Sequence, residues 1–240
     1  MPVVTVYLWL DARELGLAVA CADGVGVVRE LARAQGRRHK ARLRWDAAGA
    51  ADAWERWPGY CEWLARRGRL PPSAAGDYAA ATAGAYGTAV AGVGGDATAG
   101  YRGTAVAGDG GEATACAHGA ATAGYRGTAT AGRCGTATAG AYGTARAGDG
   151  GVAAAGSYGT ATVGSYGTAT ASIGGVARAG DGGVARAGIG GRAAAGAGGR
   201  VEVAWIDDYG ATRVAVGYVG EGGVEPDVED RARGGRLVTG

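Results

Sequence analysis

Phenylalanine is absent from these 240 residues, methionine occurs once, and the only lysine is Lys40. Leucine is missing from residues 71 to 199, so more than half of the chain must fold without the side chain that usually fills interiors. An ordinary globular core is excluded for that stretch. No apolar run approaches the length needed to span a bilayer, so no membrane partner is expected. Neither charge sign dominates: 24 Lys+Arg against 22 Asp+Glu leave a formal net charge of +2, and no polyanion partner such as nucleic acid is implied.

Cysteine is sparse. Cys21, Cys61, Cys116 and Cys134 form no CxxC pair or other metal spacing, and only His39 and His118 could assist them. Neither a metal nor any other cofactor is expected. The chain is neither short nor cysteine-dense, so reduced thiols in a cytoplasmic setting are the default. Ala18-Val19-Ala20-Cys21 resembles a lipoprotein cleavage site, but Asp11, Arg13 and Glu14 interrupt the apolar start, and a buried strand is the better reading. Two histidines, four serines and scattered carboxylates give no nucleophile–base pairing, and Asp207 and Asp208 stand in a turn. No enzyme is expected.

What is present is glycine, 51 of it, in an internal repeat. Residues 80–199 divide without insertion or deletion into fifteen octads of the form x-A-x-A-G-x-x-G, and a degenerate unit at 72–79 precedes them. The final Gly and the first Ala occur in all fifteen; the second Ala is replaced once, by Val163, and the middle Gly only by Cys116 and Ser172. Two alanines spaced by two residues read as a short strand with alternate faces, followed by a four-residue turn whose glycines permit positive φ. Two or three Gly in every eight residues would cost a helix about 1 kcal/mol each, and collagen-like bundles need period three. A parallel β-solenoid remains, each strand pairing with its equivalent one coil away.

Two octads per coil give a flattened 16-residue coil; three give a triangular 24-residue one. The inward positions are Ala in 29 of 30 cases. Two facing strands can close down on methyl groups, whereas a prism lined by Ala would leave an axial void. The expectation is 16 residues, with a stack of roughly 36 Å at ~4.8 Å per coil. Open ends would expose unpaired strands, so both ends should be capped.

The flanks suit that role. Residues 1–71 hold five of the six tryptophans and eight of the nine leucines, and read as a small α+β cap. A strand is expected at Val3–Leu10, a helix near Val27–Gln35, and helical turns near Ala50–Trp57 and Gly59–Arg67; Pro71 and Pro72 mark the boundary. Residues 72–199 form the solenoid, and 200–240 a β-hairpin cap in which Arg200–Ile206 and Thr212–Val219 alternate across Asp207-Asp208-Tyr209-Gly210. A further short strand is expected at Arg236–Val238.

The octads, with AVGYVGEGGVEPD from Ala215 and GGRLV from Gly234, resemble a family of bacterial and phage-associated proteins that carry octads such as GDYGHASA and end in a VG-x-x-G-[IV]-x-PD module. The resemblance implies no known activity. Glu229 and Asp230 stand where the family module has aromatic residues. Segments such as Gly164-Ser165-Tyr166-Gly167-Thr168-Ala169-Thr170-Ala171 are similar to the repeats of bacterial ice-nucleation proteins, which implies 16-residue coils and outward Thr-x-Thr rows that order water. Four octads present Thr-Ala-Thr here: Thr128/Thr130, Thr136/Thr138, Thr160/Thr162 and Thr168/Thr170.

Against the water-ordering reading stands ordinary strand chemistry, because Thr favours strands and its hydroxyls ladder on exposed faces. In 16-residue coils the four pairs fall two on each face, interrupted by Arg146 on one and by Val152 and Ala154 on the other. Arg146, Arg178, Arg186, Arg192 and Arg200 make the C-terminal coils cationic, as a solvated face or as a surface for an acidic partner. Tyr86, Tyr142, Tyr158 and Tyr166 share a turn position; Tyr142 and Tyr158 lie one coil apart, suited to stacking or to a dimer seam along the turns. Asp109, Asp149 and Asp181 open Asp-Gly-Gly turns and read as turn chemistry, since the calcium-binding nonapeptide is absent. The sequence therefore points to a structural repeat protein, a spacer or scaffold for a protein partner, with ice binding as the alternative.

Overall fold

The computed structural model describes residues 4–10, 39–45 and 73–239. Strand β1 (Val4–Leu10) pairs antiparallel with β2 (His39–Trp45), from Val4 opposite Trp45 to Leu10 opposite His39. The strand expected at Val3–Leu10 is therefore present. The helices expected at 27–35, 50–57 and 59–67 lie outside the described residues, among which every element is a strand.

The repeat builds the solenoid. After the two-residue β3 (Ser73–Ala74), fifteen strands from β4 (Ala80–Ala83) to β18 (Arg192–Ala195) start at every eighth residue. Even-numbered strands form one sheet and odd-numbered strands the other. Each pairs in parallel with the strand 16 residues on, as Thr128 with Thr144 and Thr136 with Val152. The coil is thus 16 residues, as the methyl-lined interior predicts. Octad positions two and four point inward: Ala129 is 0% exposed and Ala131 3%, and the core is Ala throughout the stack apart from Val163.

Glycine takes the expected positive φ at seven turns, but the glycines that define the repeat do something else. Positive φ falls on octad position seven, where eight of fifteen residues are not glycine, among them Tyr86 (61°), Arg102 (54°), His118 (57°) and Tyr142 (58°). The turn closes from the N–H of position eight to the carbonyl of position five, as in Gly103 to Gly100 at 3.0 Å. Positive φ at the third turn residue alone is the type II arrangement. The invariant Gly at position eight is required by close approach instead. A β-carbon on Gly103 would sit 2.8 Å from the Ala99 Cβ and 2.9 Å from the Gly87 carbonyl oxygen. At position five, one on Gly100 would sit 2.6 Å from the Ala85 nitrogen of the coil before.

The turns ladder as well as the strands. The position-seven N–H donates to the position-six carbonyl of the next coil, as Tyr142 to Ser157 (2.9 Å) and Tyr158 to Ile173 (2.8 Å). Backbone polar groups at the edges therefore gain partners that a solenoid with splayed turns would leave to water.

At the C-terminal end, β19 (Arg200–Ile206) continues the odd sheet in parallel and turns back as β20 (Thr212–Tyr218). The second hairpin, β21 (Asp230–Arg233) and β22 (Arg236–Thr239), extends the even sheet, Asp230 lying opposite Ala193. Val201 and Val203 replace the inward alanines of the repeat and are fully buried, so the last coil is wider and better filled.

Candidate interaction surfaces

The Thr pairs fall as parity requires. Thr128/Thr130 and Thr160/Thr162 face out from the even sheet, Thr136/Thr138 and Thr168/Thr170 from the odd one. Arg146 stands between Thr130 and Thr162, while Val152 and Ala154 follow Thr136 and Thr138. A longer row runs along octad position three of the even sheet: Thr82, Thr98, Thr114 and Thr130 pair in sequence without a break. Its signal is Thr at every sixteenth residue, which a search for Thr-Ala-Thr octads passes over.

The arginines at the C-terminal end are paired. Arg178 and Arg192 both contact Glu229, Arg192 at 3.2 Å. Glu202 receives Arg186 at 2.8 Å and Arg200 at 2.6 Å. Glu229 and Glu202 thus each bind two arginines. Of the five arginines Arg146, Arg178, Arg186, Arg192 and Arg200, Arg146 alone has no ion pair among the described residues, which leaves one isolated cation of the five in place of a stripe.

The tyrosines divide between the two edges. Tyr142 and Tyr158 stack at 5.3 Å and 15°, and Tyr125, one coil earlier, meets Tyr142 edge-on at 5.7 Å. Tyr86 and Tyr166 lie on the opposite edge, where Tyr86 meets Tyr101 at 5.8 Å and Tyr101 meets His118 at 5.6 Å. Arg102 and Arg126 lie over the rings of Tyr101 and Tyr125. Tyr101 and Tyr125 occupy octad position six, and their neighbours in space occupy position seven of an adjacent coil. A comparison of like positions therefore misses them. Where no aromatic follows, the ring covers glycine: a β-carbon on Gly174 would sit 2.7 Å from Tyr158 Cδ1, and one on Gly182 2.8 Å from Tyr166 Cδ1.

The Asp-Gly-Gly turns have a defined task. Asp109 accepts a hydrogen bond from the Tyr125 N–H at 2.7 Å, Asp149 from Ser165 at 2.9 Å and Asp181 from Ala197 at 2.9 Å, each exactly one coil on. Asp77 does the same for Val93 at 2.8 Å. The carboxylates staple successive turns. Asp207 builds its own turn, accepting from Tyr209 and Ala211 and binding Arg213 at 2.9 Å; Arg213 and these N–H groups hold its carboxyl below the usual range.

Among the described residues, no group of three or more His, Cys, Asp or Glu side chains is placed to hold a metal ion. No helix among them is long and apolar enough to cross a membrane. An open cleft lies between β20 and β22, lined by Val216, Gly217, Tyr218, Val224 and Leu237. No family model, no curated protein and no solved structure matches this chain.

Proposed function

We propose that the protein is a non-enzymatic rigid spacer or scaffold that holds a protein partner at a fixed distance from whatever its two flanking segments engage. The observation that carries this reading is the unbroken 16-residue register of the two sheets, from β3 to β19 in one and from β4 to β18 in the other, with the turns hydrogen-bonded coil to coil. Bending such a stack would break strand ladders and turn ladders together. The ion pairs at the C-terminal end and the solvated Thr rows suit a surface that stays soluble while it spans. Resemblance to phage-associated repeat proteins supports an origin in a phage or prophage, and the sparse cysteines without a disulfide pattern support a cytoplasmic setting. The test is an end-to-end distance distribution from fluorophores on residues 76 and 210. A narrow distribution near the length of the stack, roughly 36 Å at ~4.8 Å per coil, is expected; a broad one overturns the spacer reading.

A second reading, water ordering, is favoured by the four-rung row Thr82, Thr98, Thr114 and Thr130. Thermal hysteresis and droplet freezing of the protein, beside a T98K/T114K variant and one with Thr130, Thr138, Thr162 and Thr170 changed to Lys, decide it. Activity lost in the variants would make the rows an ice-binding site. A folded protein without activity leaves them as strand chemistry.

A further inference from the structure

β20 is the last strand of the odd sheet, and its free edge can be read residue by residue. The register sets Arg200 opposite Tyr218 and Ile206 opposite Thr212. Just beyond the strand ends, the Val219 N–H donates to Gly199 and the Asp207 N–H to Ala211, both at 3.0 Å. In an antiparallel pair, residues alternate between bonding their partner strand and facing away from it. The odd-numbered residues 213, 215 and 217 therefore bond β19. The N–H and C=O groups of Thr212, Val214 and Val216 face the open side, as does the Tyr218 N–H, while the Tyr218 carbonyl accepts from the Glu221 N–H at 3.0 Å.

The same four residues carry the outward side chains. Val214 is 56% exposed, Val216 51% and Tyr218 52%, whereas Ala215 between them is buried. A strand edge is normally blunted by lysine, proline or shortness. At the N-terminal end Pro71-Pro72 precedes the two-residue β3. β20 has neither lysine nor proline and is seven residues long.

From this we infer that β20 is the docking edge for a second copy of this chain. A two-fold axis normal to the sheet, midway between Ala215 and the partner's Ala215, sets Val214 opposite the partner's Val216 and Thr212 opposite the partner's Tyr218. Val214 and the partner's Val216 then exchange two bonds, and the Thr212 carbonyl accepts from the N–H of the partner's Tyr218. The only charged side chain on β20, Arg213, faces the partner's Gly217 and is already bound to Asp207. No like charges meet along the seam. The same rotation turns β22, the last strand of the even sheet, toward the partner's β22, so both sheets run on into the second molecule. Because the contact is two-fold and uses the same edge on both copies, the association closes at the dimer rather than growing into a fibre. The spacer would then be doubled in length, with the two copies of β3 at its far ends.

Sedimentation velocity of the full chain at micromolar concentration tests this. A species of twice 23.4 kDa is expected, and a monomer overturns the proposal. V214K/V216K and V214E/V216E should each be monomeric, since the register opposes like charges within each. Mixing the two should restore the dimer, because each Lys then meets Glu. Circular dichroism establishes that the variants are folded. A dimer that persists in both variants, or folded variants that stay monomeric when mixed, overturns the register. Independently of any variant, amide exchange at Val214 and Val216 should slow as the wild-type concentration rises; exchange that ignores concentration counts against the edge.

Discussion

At the residue scale, the octad is held by two kinds of glycine. Gly103 has a backbone oxygen and a methyl within 3 Å of where a β-carbon would stand, while Gly110 has φ 68° and open space around it. Gly103→Ala should therefore cost about 2–3 kcal/mol through overpacking, because the Gly87 carbonyl cannot move without its ladder. Gly110→Ala should cost about 1 kcal/mol, the strain of a left-handed residue. Denaturant titration of the two checks the order, and the reverse order would make turn conformation the reason for the repeat. The Asp staples give a second test: Asp149→Ala leaves the Ser165 N–H without its acceptor and should cost about 0.5–1.5 kcal/mol. Asp230 carries a third. It is 2% exposed with one carboxylate oxygen unpaired; burial raises its pKa, the Thr239 hydrogen bond opposes that rise, and Glu225 adds to it. A folded-state pKa above the unfolded value means that stability falls as pH rises through the interval between them, and the penalty stays in place above it. Asp230→Asn should therefore stabilise the protein at neutral pH, and thermal melts should show the gain vanish below the ordinary Asp value of 3.8.

At the element scale, strands and turns were legible because each constraint recurs within eight residues. Ala at positions two and four fixed the inward face, and methyl-sized filling chose two walls over three. The same locality hid the rest. Glu229 meets Arg178 across a separation of 51 residues, and no repeat spacing announces it. Positive φ at Tyr142, as at Arg126 and Cys134, contradicts the expectation that glycine marks such positions; each N–H there bonds the next coil, and at Tyr142 the stack on Tyr158 adds to that bond. Aromatic contacts of about 0.5–1.5 kcal/mol are large enough to offset left-handed strain of about 1–2 kcal/mol in part. A coil is also the unit that can be removed. Deleting residues 136–151 joins Gly135 to Val152 in the same octad phase, so the shortened protein should fold with its C-terminal hairpins in place. Deleting 136–147 sets strand residues where turns belong and should abolish the cooperative melt. Circular dichroism melts of the two deletions, compared with the parent, show whether phase or mere length is what the fold requires.

At the scale of the whole molecule, each coil touches only its neighbours, so stability is distributed along the axis rather than held in one centre. The two ends are unequal. At one, β3 is two residues long and the buried Ser73 hydroxyl has no hydrogen-bond partner. At the other, Val201, Val203 and Val224 enlarge the apolar core, and two hairpins extend the sheets. Each added methylene-sized group contributes about 0.8 kcal/mol on burial, which the alanine coils lack. Native-state hydrogen exchange should therefore show protection rising from Ala81 toward Val201, with opening that starts at β3 and advances coil by coil. Val201→Ala and Val203→Ala should each cost about 1–2 kcal/mol and flatten that gradient from its protected end. Equal protection along the stack would mean that the coils open as one unit, in which case the end hairpins contribute edges for association without anchoring the fold.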